Sequence, residues 1–370
     1  MKVLHIGQLI GGIDVYIRNI VSHTSPDITH VIVCGNGDNF NRDFFDNRGI
    51  VLYQVDLYRK LSAWNDIKSF CSIMKLIRSE KPDVIHCHSA KGGFLGRMAG
   101  YLTKTRTLYT PHAFSFLSSP KLIKRLSYKL LERVAVFDSY LLACSESERE
   151  LAIEQVGYKK ERALVWQNSI PAIPAEDGES FMGDYRDNDY ICYMARPSYQ
   201  KNPSFLIKVM KEVHKRLPNV RFCLLGIGYH SPMVSGLKSG IHKYGLDGCV
   251  DIFPWLPHEK CLEYIRHSKI YITVSLYEGM SLTLLEAMSL GKAVVAPDVV
   301  GNKDCVEDGV NGFLLPFDEK LFADRVEELM ANDDLRAAME ANSLRLFEER
   351  FMIDKRIVDL NNIYKNDYRG

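Results

Sequence analysis

Short apolar runs alternate with amphipathic stretches along the whole chain. The short runs have the length of strands, and in the longer stretches apolar residues recur every three or four positions, as on one face of a helix. This order predicts repeated βα units and therefore parallel sheets. The predicted strands of the first half are Val3–Ile6, His30–Cys34, Val51–Val55, Val84–His88, Thr107–Thr110, Ser139–Ala143 and Ala163–Trp166. Those of the second half are Tyr190–Met194, Arg221–Leu225, Val250–Phe253, Ile270–Val274 and Ala293–Ala296. The predicted helices include Ile67–Ser79, Lys121–Phe137, Ser204–Arg216, His258–His267 and Ser281–Leu290.

The stretch Pro171–Asp189 is rich in proline, glycine and acidic residues and has no periodicity, so it is predicted to be a linker. It separates two βα series, residues 1–170 and residues 171–350, which gives an α/β fold of two Rossmann-like βαβ domains. Open α/β sheets bind ligands at the carboxyl ends of their strands. We therefore expect the two domains to face each other across a ligand-binding cleft.

Composition and charge exclude several classes of protein. Of the 370 residues, 46% are hydrophobic and 25% are charged, which is typical of a globular protein. The 47 Lys and Arg residues balance 46 Asp and Glu residues, so no overall field favours a nucleic acid partner. Nine cysteines are scattered without a Cys-x-x-Cys pair, which indicates reduced core thiols. We expect neither a signal peptide nor a spanning helix of about 20 residues, and hence a cytoplasmic protein.

The segment Tyr271–Ala296 combines a strand end, a glycine-containing loop and a helix start. Glu278 lies in the loop, Ser281 is placed to cap the helix, and Glu286 follows on its second turn, with seven residues between the two glutamates. Either glutamate alone is more often a cap or a solvated helix residue. The pair together with the loop favours a ligand site.

A helix N-terminus offers free amides and a positive dipole end, which suit a phosphate group. A diphosphate is therefore expected on the amides of Leu282 and Thr283. Glu286 would accept hydrogen bonds from a ribose diol, and Glu278 would reach the group beyond the diphosphate.

The spacing of the two glutamates resembles the Glu-seven-residues-Glu motif of retaining glycosyltransferases of the GT-B type, especially family 4 of the sugar-nucleotide transferases. The segment Tyr193–Asn202 is similar to that family's strand followed by Arg and Lys, which implies that Arg196 and Lys201 grip the donor diphosphate. A forked guanidinium and a point charge five residues apart suit a dianion. The alternative is an exposed loop pair. The resemblance covers nearly the whole chain.

The resemblance also has consequences for the architecture. It implies the GT-B arrangement of two Rossmann-like domains, with a final helix of about 351–370 that crosses back onto the first domain. Ile357, Leu360 and Ile363 are expected to pack there.

Weaker matches complete the predicted donor site. Gly226 resembles the family's glycine turn beneath the nucleotide, and Phe253 is expected either to pack on the base or to fill the core. Gly12, after Gly11, would face the donor phosphates or belong to a helix cap. The pattern is not Gly-x-Gly-x-x-Gly, which disfavours a dinucleotide-binding oxidoreductase. The predicted donor-binding residues are Gly12, Arg196, Lys201, Gly226, Phe253, Gly279, Met280, Ser281, Leu282, Thr283 and Glu286.

Thr110–Phe114 is similar to the family's strand-end histidine, and the resemblance implies that His112 contacts the transferred sugar. His112 and Glu278 are therefore the predicted catalytic residues, which position the sugar ring. Ser145 and Asn168 match the order of further family landmarks, or are simple caps and turns.

The stretch His86–Arg97 resembles a segment of bacterial transferases that extend lipid-diphosphate-linked oligosaccharides. The resemblance implies acceptor binding by His88, Lys91 and Arg97, where the two cations bracket a helix start. His86-Cys87-His88 also suggests a metal, but strand alternation sends Cys87 to the opposite face. No complementary ligand cluster is apparent, so no metal is expected.

The segment 114–133 is basic and amphipathic, with aromatic residues at its start. Such a helix lies either on an anionic membrane surface or against the core with its apolar stripe. The resemblance to lipid-acceptor enzymes favours peripheral membrane contact, at the inner face of the cytoplasmic membrane.

Together with these residues, the resemblance implies a retaining, metal-independent glycosyltransferase without a cofactor. It would move a hexose or N-acetylhexosamine from a nucleoside diphosphate sugar to a lipid-diphosphate-linked saccharide in capsule, O-antigen or exopolysaccharide synthesis. A UDP-sugar is the first expectation and GDP-mannose the second. The alternatives are a sugar-nucleotide epimerase of the same fold and a non-catalytic nucleotide- or sugar-binding protein. Asp187-Asn188-Asp189 looks like a metal-binding Asp-x-Asp motif, but its place in the linker indicates a solvated turn.

Overall fold

The computed structural model describes residues 1–38, 40–57, 62–174, 190–228, 231 and 233–366, which form two compact units. Unit 1 comprises Met1–Pro171 and Ile353–Gly370, and unit 2 comprises Ala172–Met352. Most of the predicted linker lies outside the described residues, and so does Asp187-Asn188-Asp189.

Within the described residues, unit 1 contains a sheet of seven parallel strands. They are β1 Lys2–Ile6, β2 Thr29–Gly35, β3 Val51–Val55, β4 Val84–His88, β5 Arg106–Thr110, β6 Tyr140–Ala143 and β7 Ala163–Val165. Their order is β3-β2-β1-β4-β5-β6-β7, so the chain reverses direction across the sheet between β1 and β4. The connecting helices are α1 Gly12–His23, α2 Arg42–Asp46, α3 Ala63–Glu80, α4 Ser89–Thr103, α5 Leu122–Val134 and α6 Glu146–Leu151.

Unit 2 has a second parallel sheet, with six strands in the part of the chain that is described. They are β8 Tyr190–Met194, β9 Arg221–Leu225, β10 Val250–Phe253, β11 Ile270–Ile272, β12 Ala293–Pro297 and β13 Gly312–Leu315, in the order β10-β9-β8-β11-β12-β13. The helices are α7 Pro203–Arg216, α8 Val234–Lys243, α9 His258–His267, α10 Leu282–Ser289, α11 Glu319–Ala331 and α12 Asp333–Arg350. Its strands are apolar on both faces because helices cover both sides of the sheet.

The last helix, α13 Ile353–Lys365, belongs to unit 1. Ile357, Leu360 and Ile363 are buried in one hydrophobic cluster with residues of β1, β2 and α1, which confirms the predicted packing of these three side chains. The predicted fold class, two Rossmann-like α/β domains, is confirmed as well. Among the described helices, none is both long enough and apolar enough to cross a membrane.

Candidate active site

Helix α10 begins after β11, next to the loop that carries the residues predicted to hold the donor. Ser281 occupies the N-cap position, but its Oγ lies 3.1 Å from Oγ1 of Thr283 and, in the described chain, accepts no hydrogen bond from a backbone amide of the first turn. The first amides of α10 thus lack a side-chain cap. An uncapped N-terminus is suited to an anionic group.

The buried carboxylate of Glu278 has protein partners at both oxygens. Lys201 donates from Nζ to Oε1 at 2.5 Å, and Gln200 donates from Nε2 to Oε2 at 2.9 Å. The backbone joins the same two segments, because the Leu276 amide donates to the Gln200 carbonyl at 2.8 Å. Two predicted site residues, Lys201 and Glu278, are therefore in direct contact.

Gly301 allows a second loop to approach Glu278 closely. It has a φ of 86°, and a Cβ added at this position would lie 2.8 Å from Cβ of Glu278. The Glu278 amide also donates to the Val300 carbonyl at 2.9 Å. A side chain at position 301 would displace the Glu278 loop, so this glycine fixes the place of the carboxylate.

The buried carboxylate of Glu286 has one occupied oxygen and one unsatisfied oxygen. Oε1 lies 3.2 Å from Nε2 of His258 on α9. Oε2 is buried and has no hydrogen-bond partner among the residues that the structure describes. A buried acceptor without a donor is costly, so such atoms in folded proteins mark the place of a ligand or an ordered water. This oxygen is the clearest sign of a ligand site in unit 2.

Three further predicted donor residues follow the ends of neighbouring strands. Arg196 is exposed just beyond β8, and Gly226, with a φ of 77°, lies beyond β9 against the main chain of Ala195. The half-buried ring of Phe253 packs on Tyr264 with 4.7 Å between ring centroids. This contact is compatible with either of the two roles expected for Phe253.

Gly12 is the first residue of α1 in unit 1. The preceding Gly11 has a φ of 59° and open space around its missing Cβ, and no side-chain cap is present in the described part of the chain. The α1 N-terminus thus has the same uncapped character as that of α10.

A row of hydrogen-bonded imidazoles extends inward from His112. Nε2 of His112 lies 3.2 Å from Nδ1 of His88. Nε2 of His88 lies 3.1 Å from Nδ1 of His5, and Nε2 of His5 lies 3.0 Å from Nδ1 of His30. These side chains share one face of the sheet, because His5 pairs in register with His86 and residues two apart on a strand point to the same side.

The two ends of this imidazole row are also bonded. Nε2 of His30 lies 2.7 Å from Oγ1 of Thr24, and Nδ1 of His112 lies 3.6 Å from Sγ of Cys144. Two proton arrangements satisfy every pair, one with all protons on Nε2 and one with all on Nδ1. Both ring nitrogens of His112 are therefore engaged by protein groups.

Burial keeps these imidazoles neutral. Desolvation lowers the pKa of His112 to about 3 and that of His30 to about 4. Desolvation, and then the neighbouring histidines, hold the pKa values of His5, His86 and His88 well below the usual value. Burial likewise raises the pKa of the Cys144 thiol, so this end of the row is uncharged as well.

The loop after β5 has an unusual backbone at the predicted catalytic histidine. His112 has a φ of 53° and Ala113 a φ of 77°, both in the left-handed region that favours glycine. The buried Glu148 carboxylate accepts hydrogen bonds from the Ala113 and Cys144 amides at 2.8 Å each. Ser145 caps α6 through the Glu148 amide, as one of its two expected roles requires.

Arg97 is not available to an acceptor phosphate, which corrects the prediction for this residue. It is 1% exposed, and its Nη2 donates to Glu132 at 2.8 Å. Nε donates to the Gly93 carbonyl and Nη1 to the Tyr158 hydroxyl, while the guanidinium lies 3.8 Å from the centroid of the Tyr109 ring. Its role is structural because all of these partners lie inside unit 1.

The other two predicted acceptor residues differ from each other. His88 is fully buried and bonded at both nitrogens, so it acts in the interior and not on an acceptor. Lys91 keeps some exposure at the start of α4 and forms an ion pair with Asp66 at 2.6 Å. Of the three, only Lys91 stays a prediction for acceptor binding.

Among the described residues, one group of side chains has the spacing of a metal site, and it consists of buried histidines of unit 1. Ligand atoms of His5, His86 and His88 lie within 4.8 Å of one another. Every nitrogen of this group already has a protein partner, and those of His86 are the hydroxyls of Tyr364 and Thr110, each at 2.8 Å. The prediction that Cys87 points to the opposite face is confirmed, because its Sγ lies against Gly96 of α4.

Sequence reasoning missed several residues of both regions. Gln200 carries a weak signal, because it lies beside Lys201. His258 and Gly301 carry none, because they come from other loops and helices. His5 and His30 also escape prediction, because their pairing depends on the strand order β2-β1-β4.

Comparison with known proteins accounts for most of the chain. Residues 11–169 match the family described as a glycosyl transferase 4-like domain, and residues 181–345 match the glycosyl transferases group 1. The chain is 27% identical over 334 residues to the Escherichia coli UDP-Gal:alpha-D-GlcNAc-diphosphoundecaprenol alpha-1,3-galactosyltransferase, covering 87% of this chain and 85% of that protein. It is 24% identical to the putative glycosyltransferase EpsD of Bacillus subtilis, over 84% of this chain and 86% of EpsD.

A similar fold is found in a solved structure. The crystal structure of Anabaena HepE in complex with UDP-glucose superposes with a TM-score of 0.80, covers 99% of both chains and is 20% identical. The two sheets, the uncapped α10 with its flanking glutamates and the two family matches agree with one another. The chain therefore belongs to glycosyltransferase family 4, with the GT-B fold.

Proposed function

We propose that this glycosyltransferase moves a hexose or N-acetylhexosamine from a UDP-sugar to a lipid-diphosphate-linked saccharide in capsule, O-antigen or exopolysaccharide synthesis. Transfer retains the configuration at the anomeric carbon and requires neither metal nor cofactor. The choice of UDP is supported by HepE, which was solved with UDP-glucose. The choice of acceptor is supported by the Escherichia coli relative, whose name specifies GlcNAc-diphosphoundecaprenol.

The unsatisfied Oε2 of Glu286 is the observation that carries the donor assignment. In the proposed complex it accepts a hydrogen bond from one ribose hydroxyl. Oε1 takes the second hydroxyl when the largely exposed His258 side chain gives way. Pairing a buried carboxylate with two donors removes the cost of its unsatisfied oxygen.

The donor diphosphate is held by the amides of Leu282 and Thr283, by Arg196 and by Lys201. Lys201 is already fixed by Glu278 at 2.5 Å, so its charge is in place before the donor arrives. These groups neutralise the leaving diphosphate without a metal. In addition, the Glu278 carboxylate is already paired with Lys201 and hydrogen-bonded by Gln200, so its charge is compensated without a metal cation.

In the proposed reaction the acceptor hydroxyl attacks the anomeric carbon from the side of the departing diphosphate. A bond forms between the acceptor oxygen and the anomeric carbon, and the bond from that carbon to the β-phosphate oxygen breaks. The bonding electrons leave with UDP, and the hydroxyl proton passes to the departing phosphate oxygen. Glu278 positions the sugar ring.

The proposal is tested by turnover with matched donors. The purified chain is given UDP-galactose, UDP-glucose, UDP-N-acetylglucosamine or GDP-mannose together with GlcNAc-diphosphoundecaprenol, with and without EDTA. We expect transfer from one UDP-sugar, unchanged by EDTA, and an α-linked product by NMR. Epimerised donor without acceptor, or loss of turnover in EDTA that Mg²⁺ restores, would contradict the proposal.

A further inference from the structure

Helix α5 carries its apolar residues on the side that faces away from unit 1. A surface helix of a globular protein normally turns such a stripe towards the core. Here the exposure of its members ranges from 44% at Leu131 to 85% at Ile123. The exposed apolar residues of the helix are Leu122, Ile123, Leu126, Leu130, Leu131 and Val134.

A buried carboxylate holds α5 in this orientation, and Lys129 and Arg133 add hydrogen bonds to Gln155 at 3.2 and 2.9 Å. Glu132 is the buried residue of α5, and its Oε2 accepts a hydrogen bond from Arg97 at 2.8 Å. Its Oε1 accepts one from the Tyr109 hydroxyl at 3.0 Å. At 100° per residue, Glu132 lies on the opposite side of the helix from Ile123 and Leu130. Keeping the acid paired inside therefore keeps the apolar stripe outside.

The exposed apolar surface continues beyond the helix. Tyr101 and Leu102, at the end of α4, are both more than half exposed. The ring of Tyr101 stacks on that of Phe137, just after α5, with 5.5 Å between centroids. We call residues 101–102 and 121–137 the α5 face. Phe114 and Phe116, the aromatic residues at the start of the predicted membrane segment, are buried and lie outside it.

The charge of the α5 face has one sign. Glu132 is the sole acidic residue in the sequence 121–134, and it is neutralised by Arg97 in the interior. Lysine and arginine stems lie along apolar surface while their charged ends reach water or headgroups. The basic residues of this segment are Lys121, Lys124, Arg125, Lys129 and Arg133.

We propose that the α5 face binds the surface of an anionic lipid bilayer, with α5 in the plane of the headgroups and its apolar stripe in the acyl boundary. Contiguous exposed apolar surface on a soluble unit marks an interaction site. Residues 121–137 carry five basic side chains and no exposed acid, which favours an anionic bilayer over a protein partner with mixed charge. The proposal does not rest on the proposed function, because lipid binding needs neither donor nor acceptor.

The test is vesicle co-sedimentation of the full chain. Vesicles of phosphatidylcholine with about one third phosphatidylglycerol are compared with pure phosphatidylcholine vesicles. We expect binding to the anionic vesicles that weakens as salt is raised. The double variant Ile123→Asp/Leu126→Asp should bind the anionic vesicles about tenfold more weakly, or more weakly still. Val358→Asp, which changes an exposed apolar residue of α13, should bind like the wild type.

Two further measurements separate the alternatives. The triple variant Lys124→Gln/Arg125→Gln/Lys129→Gln should lose the preference for anionic vesicles, and thermal melting should show that the variants stay folded. Equal binding by wild type and the Ile123→Asp/Leu126→Asp variant would overturn the proposal. A dimer of the wild type in sedimentation analysis that is absent in this variant would also overturn it, because the α5 face would then be a contact between two copies of the chain.

Discussion

Lys201 is the cation that joins two parts of the proposed donor site. Its ion pair with Glu278 is largely buried, and removing one partner of such a pair leaves the other charge uncompensated. Lys201→Ala would leave Glu278 with the neutral Gln200 side chain and would remove a charge proposed to hold the leaving diphosphate. We expect kcat/KM to fall about 100-fold or more. Steady-state kinetics beside Lys208→Ala, an exposed lysine of α7, checks this, and near-normal kcat/KM in Lys201→Ala would contradict the assignment.

Gly301 offers a second test at the residue scale, with a close control in the same unit. Gly301→Ala places a Cβ 2.8 Å from that of Glu278 and also strains a positive φ. Gly309 has a φ of 75° but nothing within 4 Å of its missing Cβ, so Gly309→Ala reports the backbone cost alone. We expect Gly301→Ala to destabilise unit 2 by about 1–3 kcal/mol more than Gly309→Ala in urea unfolding. It should also weaken donor binding, and equal effects of the two variants would show that the contact with Glu278 is unimportant.

At the scale of elements, α5 depends on the Arg97–Glu132 pair. Arg97→Met leaves a buried carboxylate unpaired, which should destabilise unit 1 by about 3–5 kcal/mol. The double variant Arg97→Met/Glu132→Met should recover much of that loss, because it removes both buried charges. Urea unfolding measures both. Arg42→Met, which breaks the exposed pair with Asp46, should cost no more than about 1 kcal/mol. A loss this small for Arg97→Met would show that the pair with Glu132 does not hold α5 in place.

The imidazole row makes unit 1 sensitive to acid. The five histidines His5, His30, His86, His88 and His112 have native pKa values below 6.5, so below pH 6.5 the unfolded chain binds protons that the folded chain does not. Their contribution to stability is complete above pH 6.5 and is lost as the pH falls towards 4. In this range each histidine lowers the free energy of unfolding by about 1.4 kcal/mol for every unit by which the pH falls. Asp14, whose pKa burial raises, acts in the opposite direction but is a single group.

We therefore expect unit 1 to unfold near pH 5, while its stability stays nearly constant from pH 7 to 8. Trp166 is buried in unit 1 beside Tyr16, whereas Trp64 and Trp255 are exposed, so the blue-shifted tryptophan emission reports on this unit. His242→Gln, at an exposed site, should leave the acid midpoint unchanged. An acid-unfolding midpoint below pH 4 for the wild type would contradict the claim that the imidazole row is neutral in the folded protein.

The sequence pattern predicts most helices and strands, because each βα unit is encoded by one continuous stretch of the chain. The predicted His258–His267 helix has the observed bounds, and the other named helices differ by a few residues at their ends. The strand β13, Gly312–Leu315, was missed because it is four residues long and follows a glycine-rich turn. The sequence alone does not predict which side of α5 faces unit 1, because this depends on a contact between Glu132 and Arg97, which are 35 residues apart in the chain.

At the scale of the whole molecule, the predicted donor residues Lys201 and Glu278 are in contact, whereas two of the three predicted acceptor residues are buried. The Glu278 to Glu286 segment is continuous in sequence, so its loop and helix could be anticipated. Arg97 and His88 looked accessible because the sequence does not reveal which face of α4 and β4 is covered. The sheet order places His88 between His5 and His112, inside unit 1.

The central claim is that unit 2 binds a uridine diphosphate through Glu286, and calorimetric titration tests it most directly. UDP and GDP are titrated into the wild type, into Glu286→Gln and into Glu340→Gln, a control at a half-buried carboxylate of α12. The account predicts that the wild type binds UDP more tightly than GDP, that Glu286→Gln binds UDP about tenfold more weakly, and that Glu340→Gln matches the wild type. Undetectable UDP binding by folded wild-type protein, or equal affinity in Glu286→Gln, would contradict it.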